Sequence, residues 1–464
     1  MSAPFLESLL PYQYFDLLLK IGSIKRSEKW NRDTIERMQR KRLESLLHHV
    51  IEHSPFYRRL YVKHGISQTD IPDLQLSDLP IIDKHIMMEH YDEFVCDRNL
   101  NKADLTAFIS DPVNLGRKYQ NRYQVIHTSG STGEVGLFVY DIQSWNTIKA
   151  LAMTRVSKAK INPFDKIRLA FIGATDGHYA GVSLSSDAPK LFYEFLELSV
   201  NQPVKPELDE LQHFDPTALG GYSSSIYMLA LEQLRGHLDI HPERIVCSAD
   251  ALTDRMKTAI ADAFGVAPVN FYAASESLCM AAECDRHEGL HLFEDWHCYE
   301  LVDALHQPMQ GKGPGSLLLT TLHNYAQPLI RYQMNDEIIL SDEPCRCGSA
   351  YRRIEKVSGR SEEFLWFTSP EGEKEFIHPV QIVEFFVSGL EKMQLKQTKP
   401  KHLHLQIVTE AEDDTVLKAA LKRMHEILAE KKLDRYVTVS AEVVEDIPLD
   451  PITGKFKMVI PYKG

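Results

Sequence analysis

Clustered basic residues, long apolar runs and repeated or low-complexity tracts are missing from this chain, and cysteine is scarce. Lys and Arg number 52 against 65 Asp and Glu, a formal net charge of -13. Sequence-independent binding to nucleic acid draws on clustered cations that release counterions, so that class is excluded, although a nucleotide in a local cleft is not. Asp16 and Lys20 break the Leu-rich stretch near the N-terminus before it is long enough for a membrane span. The residues ahead of it, Met-Ser-Ala-Pro-Phe-Leu-Glu, carry no basic flank, so no signal peptide is expected. Seven cysteines, an odd number spread unevenly over 464 residues, point to reduced thiols and a cytoplasmic protein.

What is present is an α/β alternation. Residues 1–95 read as helical and charged, with Leu43, Leu46, Leu47 and Val50 on one face and Ser54-Pro55 as a stop. From Lys166 onward, short β-rich runs (Ile167–Ile172, Arg244–Cys247, Val269–Tyr272) alternate with helical ones (Tyr227–Leu234, Thr253–Phe264). That pattern predicts a mixed, mostly parallel sheet with flanking helices, and ligands in such sheets gather at the carboxyl ends of the strands. After Gly359-Arg360 the composition shifts. Strand-like Leu403–Val408, an amphipathic run through Leu417, Leu421, Met424 and Leu428, and strand-like Tyr436–Val444 predict a small α+β domain. The chain therefore divides into residues 1–361 and residues 362–464.

The segment Tyr123–Gly133 reads as a strand leading into Thr128-Ser129-Gly130-Ser131-Thr132-Gly133. Its glycines can expose consecutive backbone N–H groups and its hydroxyls add donors, a nest for phosphoryl oxygens. It is not a Walker A loop, since Glu134 follows where that motif needs lysine. A second group of residues can bind a metal. Cys284-Asp-Arg-His287-Glu-Gly-Leu-His291 offers one thiol and two imidazoles, and Cys345-Arg-Cys347 two more thiols; three Cys and one His suit a closed tetrahedral zinc site.

The loop 128–133, Phe271-Tyr272-Ala-Ala-Ser275-Glu276, Pro328–Asp336, Gly359-Arg360 and Gly454-Lys455 follow one another in an order that resembles the adenylate-forming superfamily, in particular its phenylacetate-CoA ligase and coenzyme F390 synthetase branch. The resemblance runs from about Ser54 to the C-terminus. It implies a large N-terminal adenylation domain and a small, mobile C-terminal domain that rotates about Glu362. It implies that the 128–133 loop holds the β- and γ-phosphates of ATP, that Glu276 ligates Mg²⁺, and that Tyr272 stacks on adenine beside Ser275. Ser248-Ala249-Asp250 resembles the turn at the adenine edge, and Asp336 and Arg360 match the ribose-binding positions. Lys455 matches the catalytic lysine, with Lys457 as its competitor. His178 and Tyr179 resemble the gate beside the acyl group, and Tyr222 and Ser223 line the same cavity. In this branch the zinc ligands fall on Cys284, His291, Cys345 and Cys347.

The activity implied is AMP-forming ligation of a carboxylic acid, aryl or arylacetic, to CoA through an acyl-adenylate. Residues 364–379 depart from the branch, with a charged Pro370-Glu-Gly-Glu segment where the CoA ligases have an aliphatic strand followed by Arg-Gly. An amine, carrier-protein thiol or hydroxyl acceptor is thus the alternative, and a catalytically silent nucleotide-binding protein the second. The expected partners are the small-molecule acid and CoA or another acyl acceptor, with no nucleic acid and no membrane span; a homodimer is left open.

Overall fold

A computed structural model describes residues 12–128, 135–159, 162, 164–200, 204–303, 305–309, 313–358, 365–370, 372, 374–377, 381–382, 385, 387–409, 414–448 and 458–462. Helices Tyr12–Ser27, Arg32–His53 and Pro55–Lys63 open the chain. Leu43, Leu46, Leu47 and Val50 are buried as the periodicity requires. Ser54 caps the third helix through Tyr57 N and Pro55 takes its first turn, where a missing N–H costs nothing.

Two short strands follow, β1 (Gln124–His127) and β2 (Leu137–Tyr140), paired antiparallel as a separate hairpin. A parallel series comes next: β3 (Ile167–Gly173), β4 (Tyr193–Ser199), β5 (Ala218–Tyr222), β6 (Arg244–Ser248) and β7 (Val269–Ala274). Then come β8 (Ser277–Glu283), β9 (Leu290–Leu292), β10 (His297–Val302), β11 (Gly315–Thr321), β12 (Tyr332–Ser341) and β13 (Arg353–Ser358). Strands β3 to β13 form one sheet of order β10-β11-β12-β13-β9-β8-β7-β6-β5-β3-β4. The mixed sheet expected from the sequence is present, but its parallel pairings occupy only the β4-β3-β5-β6-β7 end. All pairings from β7 to β10 are antiparallel. The switch occurs where β7 turns into β8 over Ser275-Glu276, a connection too short for a crossover helix.

Beyond residue 364 lie the hairpin of β14 (Leu365–Thr368) and β15 (Lys374–Ile377), strands β16 (Lys392–Lys399) and β17 (His402–Val408), helix Thr415–Glu430, β18 (Thr438–Val443) and β19 (Val459–Ile460). The last four strands form a sheet of order β18-β17-β16-β19. Its core includes Leu395, Leu405, Met424 and Leu428, and is separate from the core of the large sheet. The small α+β unit is as expected, and β14 and β15 pair antiparallel from Leu365↔Ile377 to Thr368↔Lys374. Glu362 lies outside the described residues. Among the described residues no helix is long and apolar enough to cross a membrane.

Candidate active site and metal centre

In the sequence the small-residue segment falls between β1 and β2. Thr128 sits at the base of the loop, its N–H donating to the carbonyl of Gly136 at 2.9 Å and its Oγ1 accepting from Gly136 N at 2.8 Å. Residues 129–134, which include Ser129, Gly130, Ser131, Thr132 and Gly133, lie outside the described residues. The amide of Gln327 satisfies Val139 N and Leu137 O at 2.7 and 2.9 Å, and Asn324 donates to Val139 O at 2.9 Å. These bonds complete the buried edge of β2. Tyr140 donates its hydroxyl to Ser275 O at 2.6 Å, so the hairpin is fastened to the turn that bears Glu276. Burial first, and the nearby Glu276 carboxylate second, push the Tyr140 phenol up and keep it protonated as that donor.

Tyr272 donates to Asp336 Oδ2 at 2.7 Å, and Asp336 is 1% exposed. Three strands separate β7 from β12 in the sheet, so this contact needs the sheet to bend, and it joins two motifs 64 residues apart. At the end of β6, Ala249 has φ +69°, a left-handed conformation unusual for a residue with a Cβ. Asp250 beside it accepts from Ser223 N at 2.6 Å and Ser224 N at 3.2 Å, and its own carbonyl accepts from Ser223 Oγ at 2.9 Å. Its carboxylate thus caps helix Ser223–Leu234, which follows β5 and Tyr222. His178 is 2% exposed and packs against Phe108, with ring centroids 5.1 Å apart. Burial, helped by His127, takes its imidazole down to about 4, so it is neutral at pH 7. Tyr179 packs on His127, with centroids 4.7 Å apart. Arg360, Lys455 and Lys457 lie outside the described residues.

The ligand atoms of Cys284, His291, Cys345 and Cys347 all lie within 4.8 Å of one another. Cys284 follows β8, His291 lies in β9, and Cys345 and Cys347 sit in the β12–β13 connection. A tetrahedron with metal–sulfur bonds of about 2.3 Å has sulfur–sulfur edges of about 3.8 Å and sulfur–nitrogen edges of about 3.6 Å. Cys284 and Cys345 stand 3.7 Å apart, and Cys347 Sγ is 3.5 Å from His291 Nε2. His291 Nδ1 faces Tyr351 O at 3.4 Å, the outer partner that turns Nε2 toward the thiols. Of the two imidazoles that the sequence offers, His287 pairs with Glu283 at 3.0 Å, which leaves His291 for the cluster. Gly289 sets up this turn, with φ +107° and a position where a Cβ would meet Ile354 O at 2.6 Å. Burial foremost raises the Cys284 thiol to about 11. Cys345 is lowered despite burial, by the Cys347 N–H and the neighbouring thiols, a direction opposite to that of Cys284.

The family described as the CapK C-terminal domain matches residues 368–461. The phenylacetate-coenzyme A ligase of Escherichia coli is 27% identical over 350 residues, 72% of this chain and 72% of that protein. That of Thermus thermophilus is 25% identical over 347 residues, again 72% of each. A solved 2-hydroxyisobutyryl-CoA ligase, in complex with 2-HIB-AMP and CoA, matches with a TM-score of 0.64 and 19% identity, over 94% of this chain and 91% of that one. The chain has the fold of the adenylate-forming ligases. The resemblance to that superfamily and to its phenylacetate-CoA ligase branch therefore holds in fold and in sequence.

Within this adenylate-forming fold, two residues that the sequence did not single out support the site. Arg331, with φ +47°, bonds the carbonyls of Ser77 and Leu79 and pairs with Glu300 at 3.1 Å, tying the N-terminal helices to the strand that bears Asp336. Arg155 grips Asp295 through bonds of 2.7 and 2.8 Å and also reaches Ser27 and Tyr351. Burial alone would raise the Asp295 carboxyl, but Arg155 holds it below the usual range. Asp295→Ala leaves that guanidinium buried without its counter-ion, a loss of about 3–5 kcal/mol. The expected result is a lower urea midpoint at unchanged slope; an unaltered midpoint contradicts the assignment.

Proposed function

We propose that this chain is an ATP-dependent, AMP-forming ligase that activates a carboxylic acid as its acyl-adenylate and transfers the acyl group to CoA. The observation that carries this reading is the Tyr272–Asp336 contact at 2.7 Å, because it brings together the two motifs assigned to adenine and ribose. The substrate carboxylate attacks the α-phosphorus of ATP and pyrophosphate leaves. The CoA thiolate then attacks the acyl carbon, a thioester forms and AMP departs.

Thr128 and the loop after it hold the β- and γ-phosphates, and the Glu276 carboxylate, on a turn fixed by Tyr140, is the protein ligand for Mg²⁺. Tyr272 and Asp336 orient the nucleoside with Arg360 and the 248–250 turn. His178 and Tyr179, with Tyr222 and Ser223, bound the acid's reacting end; a neutral imidazole there can hydrogen-bond but supplies no counter-charge. Residues 362–464 form the mobile domain, with its hinge at Glu362, so that Lys455 serves the first step and withdraws before the second. Zinc is the metal assigned to Cys284, His291, Cys345 and Cys347, with a structural role.

A cavity of about 360 Å³ lies between helices Ser223–Leu234 and Asp254–Phe264 and the β14–β15 hairpin. Trp366 and Phe376 offer aromatic faces and Arg235, Arg255 and Lys374 cations, a lining that suits the nucleotide end of CoA. A different acceptor is the second reading, favoured by the departure at residues 364–379 from the branch's aliphatic strand. ATP–pyrophosphate exchange over a panel of acids, with AMP release followed with and without CoA, tests both. The ligase reading expects exchange with AMP turnover that depends on CoA. Exchange without that dependence moves the function to another acceptor, and no exchange with any acid removes the enzymatic reading.

A further inference from the structure

Central parallel strands are ordinarily covered on both faces. On one face of β3, β5 and β6 this holds: Ala170, Ile172, Leu219, Ile245 and Cys247 are buried against helices Val204–Phe214, Ser223–Leu234 and Asp254–Phe264. On the other face, Ile167, Leu169 and Val246 stay partly exposed. They form the floor of a cavity of about 570 Å³ with Phe171 and Gly220. Met153, Val156 and Leu184, from the helical segments above, also line it.

The cavity has two unlike ends. One reaches Gly221 and Ser248, where β5 and β6 run out beside the 248–250 turn; the other opens at Lys166, Thr217 and Arg244, where β3, β5 and β6 begin. From Ile167 to Phe171 the floor extends about 13 Å at about 3.3 Å per residue. Its size falls in the range of clefts that bury a whole drug-sized ligand, and an arylacetyl group at the inner end leaves most of it unfilled.

We propose that the acid taken by this site is an elongated apolar carboxylate, an aliphatic acyl chain that lies along the sheet face from Ser248 towards Lys166. The inference rests on the ligase reading for the reaction, and on the cavity for the acid. Gly220 determines the specificity. A Cβ there would meet only Leu169 Cδ1, at 3.9 Å, and would project into the channel near its inner end, opposite Phe171, where every added methylene of a chain must pass. Its neighbour Gly221 has φ +151° and no room for a Cβ, which would lie 2.1 Å from Ile172 O. Gly220 is therefore a position where the backbone tolerates a side chain and the open channel is what a side chain removes.

The test measures kcat/KM for ATP–pyrophosphate exchange with hexanoic, octanoic, decanoic and phenylacetic acids, in the unmodified protein and in Gly220→Val and Gly220→Ala. Each methylene buried in the channel is worth about fourfold. The expected result is a rise from hexanoic to decanoic acid that passes phenylacetic acid, with Gly220→Val losing at least tenfold more on decanoic than on hexanoic acid and Gly220→Ala a smaller part of it. Exchange that is best with phenylacetic acid and indifferent to chain length overturns the proposal and leaves the ligase standing. If no acid supports exchange, calorimetric titration with decanoic acid decides: binding weakened tenfold by Gly220→Val upholds the channel without the ligase, and absence of binding overturns the channel too.

Discussion

Alanine in place of Lys455 is expected to lower acyl-adenylate formation about 10²–10³-fold, the usual effect of removing a group aimed at developing oxyanion charge. The affinity for ATP is expected to change little. In the attack on the α-phosphate, charge moves onto the bridging and equatorial oxygens. A lysine ammonium is a compact point charge suited to them, with no proton to transfer. Lys455 lies outside the described residues, but the chain on both sides of its segment is anchored. Ile447 is buried, and β19 is paired to β16 through Leu395 and Val459, with Leu395 N donating to Met458 O at 2.8 Å. In the proposed scheme the lysine serves only the first half-reaction, so Lys455→Ala supplied with preformed acyl-adenylate and CoA should still make thioester at close to the normal rate. Pyrophosphate exchange and thioester formation, measured separately, check this. Loss of exchange in Lys457→Ala instead moves the role two residues on, and full exchange in both variants discards the scheme.

The parallel half of the fold was legible because local signals agreed there. Thr253 caps its helix by accepting from Met256 N at 3.3 Å, Gly265 closes it at φ +70°, and the flanking strands β6 and β7 are apolar runs of ordinary length. The antiparallel half was not, since the pairing of β9 with both β8 and β13 is set by three residues and by contacts from distant segments. Strand β16 was missed for another reason. Lys392-Met-Gln-Leu-Lys-Gln-Thr-Lys reads as polar, and its Gln394 and Gln397 are buried by tertiary packing that no local window displays.

In the site the same division holds. Tyr272, Asp336 and the Cys/His cluster were picked out by residue type and order, and the structure brings the members of each set together. What the side chains bond to was not legible: the sequence could not reveal that Asp250 caps a helix 27 residues earlier, nor that Arg155 finds Asp295 140 residues later. The channel over β3, β5 and β6 is likewise an absence of packing, and the one trace of it in the sequence is the Gly220-Gly221 pair in a strand, where glycine is otherwise unfavourable.

Removing the zinc proposed for Cys284, His291, Cys345 and Cys347 is the perturbation expected to reach furthest through the structure. Three thiolates at tetrahedral spacings repel one another when no cation lies between them, and each thiol must lose its proton to bind while His291, which burial shifts towards its neutral form, offers a ring nitrogen, so binding energy becomes folding energy. The cluster ties the end of β8 to β9 and to the connection that leads from the Asp336 strand into β13. Cys345→Ser replaces a soft sulfur with a hydroxyl that binds zinc poorly. It is expected to abolish zinc binding, to cost more than about 4 kcal/mol as losses of a metal do, and to raise KM for ATP as β12 loosens. His287→Ala, adjacent but paired with Glu283, should keep its zinc. Elemental analysis should find one zinc per chain in the unmodified protein, and a chelator should lower its thermal midpoint together with that zinc content. A protein purified without metal, or a Cys345→Ser variant with normal stability, ends the assignment. If zinc is lost while KM for ATP holds, the cluster staples the β12–β13 connection alone, and the position of Asp336 is set by Tyr272 and Arg331 instead.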